Sequence, residues 1–183
     1  MKTMMFVEDT YGVVFHRILL DKLAANGILP GSARRLPVRR MPSKKCNQAL
    51  YRKIMGYFLR HEDWKTLIVI DSERRTASEA AETDVVRHFK RWRDRVRVAV
   101  VEPMHEAWLC IGLCEKTSRC RSDPVAKLTQ CLGRFYEKRD LELLAGKVDI
   151  RRLLGEEDFR RYVDLVRWLL GVSVSEGSSV WRR

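Results

Sequence analysis

The sequence predicts an α/β protein with a mostly parallel, four-stranded sheet flanked by helices and with a C-terminal helical extension. Short apolar runs of strand length alternate with longer segments of helical periodicity over residues 3–113, as in strands joined by crossover helices. The run at residues 65–71 is apolar almost throughout, which is typical of a strand buried on both faces. Beyond residue 123 the periodicity is helical only, so this part of the chain is expected to extend the fold with helices.

Each strand of the predicted sheet is a short run rich in apolar residues and bounded by polar residues. The first and last runs, TMMFV and VRVAVV, are each followed directly by a glutamate. The second predicted strand falls in a stretch rich in proline and arginine. Because proline has no backbone N–H to donate to a sheet, this stretch allows at most a short edge strand. The strands are predicted at residues 3–7, 36–41, 65–71 and 96–101.

The helices are predicted from apolar residues at helical spacing and from signals at their ends. Gly27 is expected to end the first helix, Ser43 to cap the second and Asp123 to cap a later one. The segment after the third strand is acidic at its start and basic at its end, as the helix dipole favours. This charge pattern predicts one helix that continues to Arg93. We expect an α/β core at residues 1–115, a helical extension at residues 116–171 and a flexible tail at residues 172–183.

The composition favours a polyanionic partner. The chain has 183 residues with 36 lysines and arginines against 24 acids, a formal net charge of +12. A solvated, highly charged surface explains the same numbers, and the high charge with few Asn and Gln residues is typical of a thermophile. The longest apolar runs are far too short to cross a bilayer, and the N-terminus has no secretion signal, so we expect a cytoplasmic protein without membrane association.

Five cysteines occur, at positions 46, 110, 114, 120 and 131, without a CxxC pair. Cys110 and Cys114 share a helix face, but the remaining spacing matches no common zinc module. Free, mostly buried cysteines are the default expectation. Disulfides are the alternative if the source is hyperthermophilic, because intracellular bridges occur there.

Four acidic residues are predicted to converge on one edge of the sheet. Glu8 and Asp71 each end a strand, Glu73 follows two residues later, and Glu106 begins the helix after the last strand. Several carboxylates share a small space in the ionised form only if a cation neutralises them, and hard oxygen ligands of this kind select Mg²⁺ or Mn²⁺. Helix capping is the simpler explanation for any one of these acids, but it explains the whole set less well.

A basic loop lies between the first two helices. Its arginines have the chemistry to contact the phosphates of DNA or RNA, although a solvated linker has the same composition. The candidate nucleic-acid-binding residues are Arg34, Arg35, Arg39 and Arg40.

Short motifs add a resemblance to a known fold. FVED closes the first strand with a glutamate and IDSE closes a later strand with an acid-x-acid triplet, a combination that resembles the Toprim fold of topoisomerases, primases and the overcoming-lysogenization-defect nucleases. The stretches VEPMHEAWL, DPVAKLTQCLGRFYEKRDLELLAGKVDI and FRRYVDLVRWL are similar to an uncharacterised Toprim-related group of small prokaryotic proteins linked to phage defence or mobile elements. The resemblance extends over residues 3–170 and matches recurrent family positions to Glu106, Tyr136 and Lys138.

The resemblance implies a Mg²⁺- or Mn²⁺-dependent nuclease or phosphodiesterase. Glu8 is then expected to serve as metal ligand or general base, Asp71 and Glu73 as metal ligands, and Glu106 as a further ligand. Lys138 is expected to stabilise negative charge on the scissile phosphate, although its spacing also fits a surface lysine.

Two other functions stay open. The triplet here is Asp-x-Glu, whereas the resembling group usually has Asp-x-Asp, so a catalytically inactive nucleic-acid-binding or scaffold protein is the alternative. A receiver-like domain whose acids bind Mg²⁺ for regulation is a third candidate. A partner ATPase and a homodimer are compatible with the resemblance, and the sequence specifies neither.

Overall fold

Four parallel strands form one sheet, as the sequence predicts. The computed structural model describes residues 2–42, 48–58, 60, 63–114 and 118–172. The sheet has the order β2-β1-β3-β4, which places β3 inside and β2 and β4 at the two edges. The strands are β1 (Thr3–Val7), β2 (Val38–Arg40), β3 (Lys65–Asp71) and β4 (Val96–Val101).

Helices cover both faces of this sheet and continue to the end of the described chain. Those between the strands are α1 (Thr10–Ala25), α2 (Gln48–Phe58) and α3 (Ala77–Asp84). Those after β4 are α4 (His105–Leu113), α5 (Arg119–Ser122), α6 (Pro124–Leu132), α7 (Asp140–Leu143), α8 (Ile150–Leu153) and α9 (Glu157–Leu169). Among the described residues, no helix is long and apolar enough to cross a membrane.

Alternate residues of the central strand enter two different cores. Leu67 and Val69 pack with α1, α4 and the C-terminal helices, whereas Ile68 and Ile70 pack with α2 and α3. All four side chains are fully buried, which confirms the predicted burial of this strand on both faces. The parallel register then brings the carboxyl ends of β1, β3 and β4 to one edge of the sheet.

The helix after β3 is shorter than predicted. A capping box formed by Thr76 and Glu79 starts α3, but the helix ends at Asp84. Two 3-10 turns replace the expected continuation to Arg93, so that part of the prediction is wrong. The adjacent β-branched residues Val85 and Val86 lie where the helix stops, and such residues are stiff and less favourable in helices.

The C-terminal part begins as predicted and then departs from a continuous helix. The carboxylate of Asp123 accepts a hydrogen bond from the backbone of Ala126 at 3.2 Å and caps α6. Gly133, with a φ of 67°, ends that helix in the left-handed region that glycine adopts readily. Side chains from α4 and from α6–α9 share one core. The expected division of the chain at residues 115 and 116 stays a prediction.

Four cysteines form disulfides, so the expectation that they are free is wrong for them. Cys110 bonds to Cys120, and Cys114 bonds to Cys131. The i, i+4 pair on α4 therefore faces two partners from α5 and α6, a proximity that spacing along the chain does not reveal. The predicted cap Ser43 and the fifth cysteine, Cys46, lie outside the described residues.

Candidate active site at the carboxyl edge of the sheet

Glu8 and Asp71 meet where two neighbouring strands end. β1 and β3 are parallel, with Val7 paired to Val69, so the residues that follow both strands emerge at the same edge. Oε2 of Glu8 accepts a hydrogen bond from the backbone N–H of Asp71 at 3.2 Å. The structure thus brings together two of the residues that the sequence singled out.

Asp71 is held by the first residue of α4. Its Oδ1 lies 2.5 Å from Nδ1 of His105 and also accepts a hydrogen bond from the backbone N–H of His105 at 3.0 Å. The Nδ1 contact is an ion pair when the imidazole is protonated. Because the partial positive charge of a helix N-terminus favours an anion, α4 and the imidazole together orient this carboxylate.

A buried chain of polar groups continues from His105 into the core. Nε2 of His105 lies 2.8 Å from Nε2 of His16, and Nδ1 of His16 lies 3.1 Å from the hydroxyl of Tyr162. That hydroxyl donates to Sδ of Met5 at 3.9 Å. The three polar residues are almost wholly inaccessible to solvent, so each ring nitrogen in the chain depends on its neighbour for a partner.

The two histidines of this chain have pKa values shifted in opposite directions. Burial alone would lower the pKa of His105, but the carboxylate of Asp71 outweighs it and raises that pKa. Burial, together with the nearby charge of His105, lowers the pKa of His16 well below its usual value. The two opposite shifts favour a proton on His105 over a proton on His16.

A lysine neutralises the acids on the other side of Asp71. Nζ of Lys138 lies 2.7 Å from Oε1 of Glu106 and 3.3 Å from Oδ2 of Asp9. Burial alone would lower the pKa of Lys138, but Glu106, Asp9 and Asp71 together raise it. The ammonium group therefore lies between the carboxylates of Glu106 and Asp9. The predicted role of Lys138 in stabilising charge on a phosphate stays a prediction.

Glu106 is buried with only one of its oxygens satisfied. The hydroxyl of Tyr136 donates to Oε1 at 3.3 Å, on the same oxygen that receives Lys138. The side chain is 3% exposed, and Oε2 has no hydrogen-bond partner among the described residues. A buried carboxylate oxygen without a partner is costly, which makes it a candidate contact for a ligand.

Asp9 has two roles in this structure. Its Oδ1 accepts a hydrogen bond from the backbone of Gly12 at 2.6 Å and caps α1, while Oδ2 faces Lys138. With a φ of −123° and a ψ of 173°, the backbone is extended here and does not require glycine's conformational freedom.

Glu73 lies in a strained turn beyond β3. Glu73 and Arg74 both have left-handed backbones, with φ values of 53° and 69°, which non-glycine residues rarely adopt. The N–H of Glu73 donates to the carbonyl of Pro103 at 3.1 Å, and its carboxylate lies 3.6 Å from Arg75. Its role as a metal ligand stays a prediction.

The candidate nucleic-acid-binding arginines lie at the β2 edge of the sheet. Arg34 and Arg35 belong to a 3-10 turn at residues 31–35, and Arg39 and Arg40 belong to β2. All four are exposed. Arg40 pairs in register with the last residue of β1, so the basic strand ends beside Glu8. The short edge strand is confirmed, and the phosphate contacts stay a prediction.

The residues of the predicted metal site lie among basic as well as acidic side chains. In the ranges that the structure describes, no group of three or more His, Cys, Asp or Glu residues could hold a metal ion. Lys138 lies against Glu106 and Asp9, and His105 engages Asp71, so basic groups already neutralise part of the cluster. The donor types that fit a hard cation are the carboxylates of Glu8 and Asp71, which follow or end neighbouring strands, and the unpartnered Oε2 of Glu106.

Sequence reasoning missed the polar chain behind Asp71. His16 lies on the buried face of α1 next to Phe15, where the helical pattern calls for an apolar residue. That misfit was a usable signal, but it could not name Tyr162 as the partner, since 146 positions separate the two residues.

Comparisons of the chain with known protein families, with curated proteins and with solved structures gave no match.

Proposed function

We propose that this protein is a Mg²⁺- or Mn²⁺-dependent phosphodiesterase that acts on nucleic acid, with a role in phage defence or DNA processing. The contact between Glu8 and the strand end at Asp71 carries the proposal. It brings two carboxylates to the carboxyl edge of a parallel sheet, which is where open α/β sheets bind their ligands. The Toprim-like motifs of the sequence favour the same chemistry.

Glu8, Asp71 and Glu106 are the residues that would hold the cation. Mg²⁺ is usually bound by one or two carboxylates, and water and substrate phosphates complete its shell. The absence of an assembled group of three metal-binding side chains among the described residues is therefore compatible with this ion. When bound, the ion supplies charge neutralisation at the phosphate and a more acidic bound water.

The basic residues have separate tasks in this proposal. Lys138 lies beside the acids with its pKa raised, so it stays charged and can stabilise negative charge on a phosphate. His105 holds the carboxylate of Asp71 in one orientation. The exposed arginines of β2 bind the nucleic-acid backbone next to the site.

Manganese binding tests the site without knowledge of the substrate. Mn²⁺ would be titrated into the wild type by calorimetry, alone and with a ten-nucleotide DNA. We expect binding that the oligonucleotide strengthens and that is lost in the folded double variant Glu8→Gln, Asp71→Asn. Asp164→Asn, an exposed acid on α9, is the matched control and should bind like the wild type.

The alternative is a nucleic-acid-binding protein without catalysis, which the mixed set of charges around Lys138 favours. It predicts oligonucleotide binding without any Mn²⁺ binding. In both cases Arg39→Glu with Arg40→Glu should weaken oligonucleotide binding and reduce its salt dependence. Lys90→Glu with Arg91→Glu makes the same charge change on the 3-10 turn that precedes β4, the opposite edge strand of the sheet, and should have a smaller effect. Wild type that binds neither Mn²⁺ nor the oligonucleotide would refute both functions.

A further inference from the structure

A groove runs along the outer edge of β4. This strand pairs with β3 on one side and lies at the end of the sheet on the other. α3 contacts one face of the strand and α9 the other. The groove between them has a volume of about 570 Å³ and includes residues of both helices and of the strand itself.

The backbone of β4 presents hydrogen-bonding groups to this groove. The carbonyls of Arg95 and Val101 accept from β3 and its following residue, so the odd-numbered residues face the sheet. By the alternation of a parallel ladder, Val96, Val98 and Val100 direct their N–H and C=O groups outward. Among the described residues, no hydrogen bond to these outward groups is formed.

The side chains that line the groove are apolar or positively charged. The apolar floor of the groove includes Val85, Phe89 and Leu165. Arg93, Arg97 and Arg161 also line the groove, and no carboxylate does within the described residues. The ion pairs of Arg93 with Glu82 and of Arg161 with Glu157 are exposed, and such pairs are weak. These arginines therefore remain attractive to a further anion.

We propose that this edge binds an extended acidic segment of a partner protein as an added strand. The outward backbone groups would pair with the segment, alternate apolar side chains would occupy the floor, and acidic ones would meet the arginines. A second copy of this chain is a poor occupant, because it would bring its own arginines and a net charge of +12. A nucleic acid would use the charge but neither the apolar floor nor the strand-like ladder. The proposal is independent of the metal site.

A designed peptide tests the edge directly. The probe is a labelled ten-residue peptide of alternating valine and glutamate, with an alternating valine and lysine peptide as control, measured by fluorescence anisotropy. We expect only the acidic peptide to bind. Val98→Pro removes an outward N–H and spares the pairing with β3, so it should weaken binding about tenfold or more. Val98→Ala shortens the same side chain but keeps the outward N–H, so it should retain most of the binding that Val98→Pro loses.

Amide hydrogen exchange supplies a second measurement. The N–H groups of Val98 and Val100 should exchange rapidly in the free protein and slowly with the peptide bound. Slow exchange in the free protein would show that the edge is already covered and would overturn the proposal. So would failure of the acidic peptide to bind, or unchanged binding by folded Val98→Pro. Protection of these amides by a 20-nucleotide DNA instead of the peptide would make the groove a nucleic-acid surface.

Discussion

Asp158 and Glu106 are both buried carboxylates with basic partners, and they differ in how completely they are satisfied. Oδ2 of Asp158 accepts from the backbone of Glu102, from Nε1 of Trp108 and from Arg121 at 2.8–3.0 Å. Its Oδ1 accepts from Arg121 at 2.7 Å. Glu106 is just as buried, but Lys138 and Tyr136 share one oxygen and the other has no hydrogen-bond partner among the described residues.

The difference separates a structural cluster from a candidate site. A buried carboxylate whose oxygens are all bonded needs no further explanation, because its desolvation is compensated. Glu106 is only two residues from Trp108 on the same helix, yet its Oε2 lacks that compensation. We therefore interpret Asp158 as part of the fold and Glu106 as part of the function.

The largest expected effect is the loss of stability in Asp158→Ala. The substitution leaves the indole N–H of Trp108 and the N–H of Glu102 without their acceptor, and it removes the two contacts of Arg121 with Asp158 while the contact of Arg121 with Glu156 stays. We expect the free energy of unfolding in urea to fall by about 3 kcal/mol. Asp164→Ala, on the exposed side of the same helix, should change it by less than about 0.5 kcal/mol. Equal values for the two variants would contradict the structural interpretation of Asp158.

The next effect concerns the disulfide between Cys110 and Cys120, which joins α4 to α5, the helix that carries Arg121. Its sequence separation is 10 residues. Removing a cross-link of this size, in a double alanine variant, should cost about 3 kcal/mol or somewhat less, through the greater entropy of the unfolded chain.

The same double alanine variant also tests whether the disulfide supports the cluster around Asp158. Because the disulfide holds Arg121 near Asp158, its loss and Asp158→Ala should be non-additive in urea unfolding. Removal of the bond between Cys114 and Cys131 should instead be closer to additive with Asp158→Ala. Full additivity of both would mean that neither bond supports the Asp158 cluster.

Acid should weaken the Asp158 cluster in a defined pH range. Burial alone would raise the pKa of Asp158, but the hydrogen bonds and charge of Arg121 outweigh it and lower that pKa. The stabilisation is therefore fully present above the pKa of the unfolded carboxyl, about 4, and is lost as pH falls towards the lower folded value. In urea unfolding at several pH values, the advantage of wild type over Asp158→Asn should be constant from pH 7 to 5 and shrink below about pH 4. An advantage that stays constant in acid would show that the charge is unimportant.

Glu106→Gln should have the smallest effect on stability and a large one on binding. Glutamine keeps an acceptor for Lys138, which also retains its contact with Asp9, so we expect the free energy of unfolding to change by less than about 1 kcal/mol. Mn²⁺ affinity should fall in calorimetry with the oligonucleotide present. A loss of stability as large as that of Asp158→Ala, with Mn²⁺ binding intact, would make Glu106 a structural residue.

The strands were predictable because their signals are local. Runs of apolar and β-branched residues located β1, β3 and β4 at the observed residues, and the proline-rich composition limited β2 to a short edge strand. The Asp123-Pro124 pair likewise predicted the start of α6, where Asp123 is the N-cap. The end of α3 at Asp84 was not predictable from the charge pattern, since the interaction of charges with the helix dipole is weak beside the packing of Val85 and Phe89 in the core.

The positions of two acidic residues of the candidate site were also predictable from the sequence. Glu8 and Asp71 end strands, and parallel strands bring their ends to one edge whatever the details of packing. Lys138 was singled out by the family resemblance. Its contact with Glu106 was not predictable from helical or strand periodicity, because 32 positions separate the two residues. His16 and Tyr162 were out of reach, because hydrogen bonds between distant segments depend on how helices pack on the sheet.

The sequence by itself determined the fold class, the positions of the main strands, the excess of positive charge and the acids at two strand ends. These properties follow from residue type, spacing and chain order, and they need no knowledge of distant neighbours. The tertiary structure alone decided that Lys138 neutralises Glu106 and Asp9, that His105 orients Asp71, and that four cysteines pair. The reason is physical: an ion pair, a hydrogen bond or a disulfide forms only over a few ångströms, and those distances are set when the helices pack against both faces of the sheet.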